Sequence, residues 1–237
     1  RDFSEDTTDF LMAAGALIGA FLQRHYSHAA EAERILARSQ AESRDVLLRE
    51  MQHRVKNNFQ LILSSIAIQK RRYQGADVHR ALDHVNSRIN AISLAHDQLA
   101  PRDKSQTVKL SDYIRALAES VGQQTDAISI DVEADELELP IERAVPLGLI
   151  LNEAAMYSIN NAFGPSGGAI LVKLVGGIGY GEAKLTISDN GAGMRAPDHE
   201  GSGLKLIELL AQQIGGSIDL ETSENGTTIS VVFPLIG

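Results

Sequence analysis

The 237-residue sequence contains no cysteine, which excludes disulfide bonds and thiolate metal sites. It also lacks a long hydrophobic run, because the longest, Phe10–Leu22, has 13 residues where a membrane-spanning helix needs about 20. Signal-peptide features are absent. Basic charge is not in excess either: 22 Lys and Arg oppose 31 Asp and Glu, for a net charge of −9. This balance disfavours nucleic acid or an anionic membrane as main partner, and we expect a cytoplasmic protein without a membrane span.

The length suffices for one large domain or two small ones. An apolar fraction of 43% and a charged fraction of 22% are typical of globular proteins. The sequence begins with Arg1 and not with Met, so we expect a piece of a longer protein.

Residues 30–74 contain neither glycine nor proline, which predicts one long helix. At about 100° per residue, its apolar side chains fall within a sector roughly 80° wide. These are Leu48, Met51, Val55, Phe59, Ile62 and Ile66. His53 lies about 155° from the centre of that sector, with Asn57 beside it one turn on. The pattern therefore predicts an outward-facing histidine, flanked by Arg54 and Lys56.

A second helix is predicted after a turn at Gly75, and Pro101 ends it. His96 belongs to its apolar stripe, which favours a core histidine over a ligand. Each buried Leu, Ile or Phe contributes roughly 1.5–3 kcal/mol, and isolated helices are marginal. Two helices cannot enclose the stripe of the first one, so we predict that two chains pair their hairpins into a four-helix bundle, a homodimer.

Strand and helix signals alternate in the rest of the chain. Ser111 is the predicted N-cap of a helix over 112–122, and alternating apolar residues begin near 126. The further predictions are a helix at about 141–162, strands near 168–175 and 182–189, a helix at 203–214, and a hairpin of 217–222 and 227–233. The predicted fold class is a dimeric helical-hairpin domain followed by an α/β sandwich, with the boundary near residue 124.

Two glycine-containing motifs in the second half are candidates for nucleotide binding. Asp189 ends a strand that runs into a turn containing Gly191 and Gly193. A carboxylate there can accept a hydrogen bond from an adenine amino group, and glycines let the backbone approach a ligand. Gly201 and Gly203 stand at a helix start, where free N–H groups suit phosphate. Each motif alone is often an ordinary turn, but their order and distance together favour a nucleotide site.

Residues 51–58, Met-Gln-His-Arg-Val-Lys-Asn-Asn, resemble the phospho-acceptor box of bacterial sensor histidine kinases, in the subfamily whose box reads His-Arg-x-Lys-Asn. Three later segments resemble the nucleotide-binding boxes of that family's Bergerat-type ATPase domain: 147–163, 189–194 and 201–207. Residues 1–30 resemble the last helix of a GAF sensor domain. The resemblance implies a signalling helix at 1–40, a dimerisation and phosphotransfer domain at 41–124, and an ATP-binding domain at 125–237.

The resemblance also implies roles for individual residues. His53 accepts the γ-phosphoryl group of ATP and passes it to an aspartate in the receiver domain of a response regulator. Asn57 orients a water molecule in phosphatase reactions. Asp189 binds adenine, with Gly191 and Gly193 shaping the pocket, while Gly201 and Gly203 hold the lid end near the phosphates. Asn152 and Glu153 belong to the box that binds ATP and Mg²⁺, Glu153 as catalytic residue and metal ligand.

That box departs from the family pattern at two positions. The family reads Asn-Glu-x-x-x-Asn-Ala-x-Lys, but Tyr157 replaces the metal-binding asparagine and Asn160 the phosphate-contacting lysine. Mg²⁺ prefers compact oxygen ligands in octahedral geometry, and a neutral phenol is a poor substitute. Either the activity is reduced, or Glu153 or Asn161 takes over the ion.

Three hypotheses follow. The first is a kinase core that phosphorylates itself on His53. The second is an ATP-inactive phosphotransferase or phosphatase of a response regulator that acts through His53 and Asn57. The third is a dimeric docking module without catalysis.

Overall fold

The structure is a computed structural model that describes residues 46–47, 50–72, 75–99, 107–123, 125, 127–164, 167–179, 181–193 and 202–235. The chain divides into two units, residues 1–51 and 52–237, and the fold described below belongs to the second. The predictions for residues 1–40, including the likeness to a GAF domain, and those for Leu48, Pro101 and Gly201, lie outside the described residues.

The second unit begins with a helical hairpin, as predicted. Helix α1 covers residues 52–72, and helix α2 is Ala76–Asp97 after Gly75 in extended conformation. Two ion pairs fix the antiparallel register, Lys56 with Asp97 at 3.0 Å and Lys70 with Asp83 at 2.6 Å. Phe59 packs against His96 with ring centroids 5.6 Å apart.

His96 is half-buried against the hairpin interior, in agreement with the predicted core role. Burial lowers the pKa of His96, and the neighbouring Asp97 carboxylate opposes that shift. The imidazole thus packs mainly as an apolar ring, tilted against Phe59.

The remaining elements form a mixed α/β sandwich. Its strands are β1 (Thr107–Lys109), β2 (Ile128–Ala134), β3 (Glu138–Pro140), β4 (Gly168–Ile178), β5 (Glu182–Asp189), β6 (Ser217–Ser223) and β7 (Gly226–Pro234). The main sheet has the order β2-β4-β5-β7-β6, parallel between β2 and β4 and antiparallel elsewhere. β1 and β3 form a separate antiparallel pair.

Helices α3 (Leu110–Gly122), α4 (Ile141–Tyr157) and α5 (Ser202–Gln213) pack with the sheet in one hydrophobic core. Alternate strand residues supply the sheet's side of this core, as period-two patterning predicts. They are Ile170, Val172, Leu174, Ala183, Leu185, Ile187, Ile229, Val231 and Phe233. The predicted elements of the sandwich are therefore confirmed, whereas β1 and β3 were not predicted.

Helix α2 packs on α4 through small residues, a contact that the sequence reading did not include. Ser87, Ala91 and Ala95 are buried at intervals of four residues. The Tyr113 hydroxyl on α3 donates a hydrogen bond to the Ala91 carbonyl oxygen at 2.8 Å, and burial raises the pKa of Tyr113. The hairpin and the sandwich thus share one core.

The prediction of Ser111 as an N-cap is wrong. Helix α3 begins at Leu110 after extended Lys109, with no side-chain cap. The Leu110 backbone N–H donates to the Leu137 carbonyl oxygen at 2.8 Å, so tertiary pairing replaces the cap. Ser111 is buried one residue inside the helix, and its hydroxyl finds no partner among the described residues.

The domain boundary near residue 124 stays a prediction. Helix α3 precedes it in the chain but packs on β2 and α4.

Within the described ranges, none of the helices combines the length and the apolar character that crossing a lipid bilayer requires.

We expect Gly148→Ala to destabilise the protein by about 1–3 kcal/mol, because a Cβ atom there would overlap the buried ring and hydroxyl of Tyr113. Gly122 on α3 is the matched control, since a Cβ atom at that position meets nothing within 4 Å. Gly122→Ala should leave the free energy of unfolding unchanged or slightly higher. Urea unfolding of both variants checks this, and equal losses would contradict the packing described.

Candidate functional site

Helix α4 carries two polar side chains into an apolar environment. Asn152 and Glu153 are buried, and their neighbours along the helix are buried apolar residues. A buried carboxylate or carboxamide is costly unless it is hydrogen-bonded or paired with an opposite charge. The partners of these two side chains therefore decide how this part of the site is built.

Both partners come from adjacent positions on α2. Arg88 holds Glu153 with two bonds, Nε to Oε1 at 2.7 Å and an Nη atom to Oε2 at 2.8 Å. This paired carboxylate raises the pKa of Arg88. The Ser87 hydroxyl donates to the Asn152 amide oxygen, while the Asn152 amide nitrogen is buried without a partner among the described residues.

The two departures from the family pattern lie at the end of α4. Tyr157 is the last α-helical residue, and a π-helical turn, Ser158–Ala162, carries Asn160. Tyr157 is half-buried and Asn160 is exposed. Asn161 donates from its side chain to the Tyr157 carbonyl oxygen at 3.1 Å. Such π-helical turns are frequent at functional sites.

Asp189 ends β5 directly beside that π-helical turn. Its Oδ2 atom accepts the Ser158 hydroxyl at 2.7 Å. Its Oδ1 atom accepts the backbone N–H groups of Gly191 at 2.9 Å and Thr227 at 3.2 Å. The carboxylate is buried and held by three donors, so its orientation is fixed by the protein.

The glycine turn after β5 packs under the π-helical turn. The Ala192 backbone N–H donates to the Ala162 carbonyl oxygen at 2.9 Å. Gly193 has a φ of 72°, and a Cβ atom there would overlap the Ser223 carbonyl oxygen. Only glycine combines this left-handed conformation with so close a backbone approach.

A cavity of about 730 Å³ lies between α2 on one side and the end of α4 with the start of α5 on the other. Helix α2 lines it with Arg80, His84 and Arg88 among others. The opposite wall contains Glu153, Tyr157, Asn160, Asn161 and Gly203. Its volume is in the range of small-molecule sites.

The structure brings together only some of the residues predicted to form the site. Glu153 and Gly203 share the cavity, and a Cβ atom on Gly203 would lie 3.8 Å from Glu153 Oε2. Asp189 and Gly191 are hydrogen-bonded to each other but are not among the residues that line the cavity. His53 and Asn57 are exposed on α1, as predicted, and do not line the cavity.

Sequence reasoning missed Ser87, Arg88, Ser158 and Thr227, which complete the polar contacts of Asn152, Glu153 and Asp189. Ser158 had a weak signal, because it lies within the segment that resembles a nucleotide-binding box. Ser87 and Arg88 had none, because the hydrophobic pattern of α2 does not reveal which element covers its opposite face.

The residues present do not fit a Mg²⁺ ion in this arrangement. Each Glu153 oxygen atom accepts one bond from Arg88 and the Asn152 amide oxygen accepts the Ser87 hydroxyl, so the charge of Glu153 is already paired with a cation and each oxygen keeps only one lone pair. In the described part of the chain, no cluster of three or more His, Asp or Glu side chains could hold a metal. The binding of Mg²⁺ therefore stays a prediction.

Comparison with known proteins finds two family models that match consecutive parts of the chain. Residues 50–125 match the histidine kinase model. Residues 142–237 match the model of histidine kinase-, DNA gyrase B- and HSP90-like ATPases. The two matches follow the order predicted from the acceptor box and the glycine motifs.

Curated relatives agree with these matches. Blue-light-activated histidine kinase 2 of Erythrobacter litoralis is 27% identical over 202 residues, covering 81% of this chain and 58% of the relative. The sensor histidine kinase PdtaS of Mycobacterium tuberculosis is 26% identical over 236 residues, covering 95% of this chain and 46% of the relative. The chain thus spans about half the length of the curated relatives it matches.

A solved structure shows the same fold. The histidine kinase domain of the E. litoralis EL346 blue-light-activated histidine kinase superposes with a TM-score of 0.59 at 24% identity, covering 81% of this chain and 94% of that one.

We expect Arg88→Met to destabilise the protein by about 1–3 kcal/mol, because it leaves the Glu153 carboxylate without its cation. The Glu153 side chain is 3% exposed and that of Arg88 36%, so the loss is smaller than for a fully buried pair. Lys70→Met is the matched control, since its pair with Asp83 has side chains 40% and 45% exposed and should contribute at most about 1 kcal/mol. Adding Glu153→Gln should recover part of the Arg88→Met loss in urea unfolding. Equal losses at Arg88 and Lys70 would contradict the buried pair.

Proposed function

Because the chain belongs to the histidine kinase family, we propose that it is the catalytic core of a two-component sensor kinase. In this proposal His53 accepts the γ-phosphoryl group of ATP and passes it to an aspartate of a response regulator. The observation that carries it is the exposure of His53 on α1, inside the segment that matches the kinase family and outside the contacts between α1 and α2.

The chemistry needs an accessible ring nitrogen. A neutral imidazole nitrogen of His53 attacks the γ-phosphorus in line with the bond to the bridging oxygen, that bond breaks, and ADP leaves with its electron pair. The phosphoryl group then moves from the ring nitrogen to a carboxylate oxygen of the regulator. Asn57, one turn further along the exposed side of α1, is our candidate for orienting the water that hydrolyses the phosphorylated regulator and releases inorganic phosphate.

Asp189 is our candidate for the adenine contact. An ionised carboxylate offers about four lone-pair sites, and three already accept hydrogen bonds from Ser158, Gly191 and Thr227. The remaining site can accept one N–H of an adenine amino group. Gly191 and Gly193 let the turn after Asp189 pack closely on the backbone of Ala162 and Ser223, which holds that turn in place.

Incubation with γ-³²P-labelled ATP and Mg²⁺ tests the kinase. We expect label on the wild type and on His79→Gln, a histidine control on α2, but none on His53→Gln, because only His53 lies in the acceptor box. The double variant Tyr157→Asn and Asn160→Lys restores the family residues at both positions. It should incorporate at least tenfold more label if Tyr157 and Asn160 limit the binding of phosphate and metal. Label that persists on His53→Gln would refute the assignment of the acceptor.

One observation favours a second candidate, a phosphotransferase or phosphatase that does not use ATP. Both oxygen atoms of Glu153 are held by Arg88, and positions 157 and 160 lack the family residues. In that case neither wild type nor variant takes label from ATP, but phosphorylated receiver domains transfer label back to His53, and Asn57→Ala slows their dephosphorylation.

The cytoplasmic location of the protein stays a prediction.

Helix α1 presents a face for the response regulator. Leu61 and Ile68 are 69% and 64% exposed and, at about 100° per residue, lie within about 20° of each other around the helix. Asn57 lies about 40° from Leu61 in the same projection. We assign this face, which begins two turns after His53 on the same helix, to the receiver domain, because exposed apolar residues suit a protein partner that must also reach the histidine.

A different face of α1 is our candidate for the dimer contact. Ile62 lies on the predicted apolar stripe yet remains exposed, since α2 covers only the Phe59 side. We expect Ile62→Glu to shift sedimentation from dimer to monomer, because a carboxylate there would have to enter the bundle core. Leu61→Glu is the matched control and should stay dimeric while transfer to the receiver slows. A monomeric wild type would contradict the dimer.

A further inference from the structure

Ser158 is a buried serine whose hydroxyl group lies against the proposed adenine contact. It is 4% exposed and begins the π-helical turn Ser158–Ala162. Its Oγ atom lies 2.7 Å from Asp189 Oδ2 and 3.2 Å from the Ala154 carbonyl oxygen. A hydroxyl has one hydrogen atom and therefore donates to only one of these acceptors at a time. The carboxylate is charged and closer, so the hydrogen bond to Asp189 is the stronger one.

Position 158 departs from the family pattern, as positions 157 and 160 do. The pattern Asn-Glu-x-x-x-Asn-Ala-x-Lys has alanine where this chain has Ser158. Alanine suits a helix equally well but carries no hydrogen-bond donor. The hydrogen bond to Asp189 is therefore a feature of this chain that the family pattern does not supply.

The donors around Asp189 leave one open acceptor site, and that site is on Oδ2. Each carboxylate oxygen offers about two lone pairs. Oδ1 accepts the backbone N–H groups of Gly191 and Thr227, which uses both of its lone pairs. Among the described residues, Oδ2 accepts the Ser158 hydroxyl alone, so one lone pair remains. Asp189 is 9% exposed and is thus not fully enclosed, and its open site suits a ligand that donates a single N–H group.

Ser158 also holds the second oxygen atom of the carboxylate in place. The two backbone donors constrain only Oδ1, and without Ser158 the position of Oδ2 would be less restricted. Backbone packing keeps the π-helical turn beside β5, because the Ala192 N–H donates to the Ala162 carbonyl oxygen at 2.9 Å. A ligand contact that is already held in its binding orientation loses less conformational freedom when the ligand arrives.

We infer that Ser158 is a positioning residue for the base of the nucleotide. Its hydroxyl holds Asp189 Oδ2 so that the one open lone pair receives an N–H of the amino group of a 6-aminopurine. This inference rests on the proposed function, because it takes Asp189 as the adenine contact. Ser158 acts through Asp189, and recognition of the amino group therefore depends on a side chain of the π-helical turn.

NMR titration of the whole chain with adenosine and with purine riboside tests this role. The two ligands differ only in the 6-amino group, so the ratio of their affinities measures the contact at Asp189. We expect the wild type to bind adenosine about tenfold more tightly, since the amino group bonds to a charged acceptor. Ser158→Ala should reduce this ratio about threefold or more by weakening adenosine, and should leave purine riboside nearly unchanged.

Ser111→Ala is the matched control. Ser111 is also a buried helical serine, but its hydroxyl has no partner among the described residues. The substitution removes the same atom without affecting Asp189, so the affinity ratio should remain that of the wild type. Ser158→Ala itself introduces the residue of the family pattern, which is compatible with the helix.

The possible results separate this inference from the proposed function. An affinity ratio that is unchanged in Ser158→Ala would overturn the role of Ser158 and leave Asp189 as the adenine contact. Equal losses for both ligands would also overturn it, since a purely structural effect does not depend on the amino group. If the wild type binds both ligands equally, or binds neither, the adenine contact itself fails and the inference fails with it.

Discussion

The contact between α2 and α4 is the constraint on which the described structure depends. Small residues on α2 let the two helices approach closely, and the approach buries Asn152 and Glu153 together with the side chains that satisfy them. A buried carboxylate without a cation would be costly, so Arg88 is required wherever this packing forms. The same contact creates the cavity, because Arg80, His84 and Arg88 line it from one side.

The proposed acceptor histidine and the proposed nucleotide contact lie on different elements and require different surroundings. The proposed nucleophile needs exposure, and His53 is exposed on α1. The proposed nucleotide contact needs a fixed carboxylate, and Asp189 is held in place by a π-helical turn, a glycine turn and the start of β7. A phosphoryl group can pass between them only if the ATP-bearing part of the chain reaches the acceptor helix.

Three sides of helix α1 can be distinguished, one that α2 covers and two to which we assign partners. Phe59 marks the side that α2 covers, Ile62 the side proposed for a second chain, and Leu61 with Ile68 the side proposed for the receiver domain. Each apolar residue is therefore assigned by direction around the helix, not by hydrophobicity alone. The proposed division would separate dimerisation from phosphotransfer, so we expect single substitutions on one face to affect one without the other.

Much of the secondary structure and several candidate residues could be predicted from local patterns in the sequence. Most strands and helices of the sandwich follow from periodicity, the exposed His53 follows from its angle to an apolar stripe, and Asp189 is a candidate because of the glycines after it. The sequence predictions failed where segments that are far apart in the chain pack against each other. Ser111 is no cap, because the pairing of β1 with β3 and the Leu137 carbonyl fix the helix start. Arg88 and Ser87 were invisible as site residues, since their partners lie 65 positions away in the chain. Sequence alone thus determined which residues could carry the chemistry, whereas tertiary packing decided which charges face one another, because burial and pairing depend on what covers each surface.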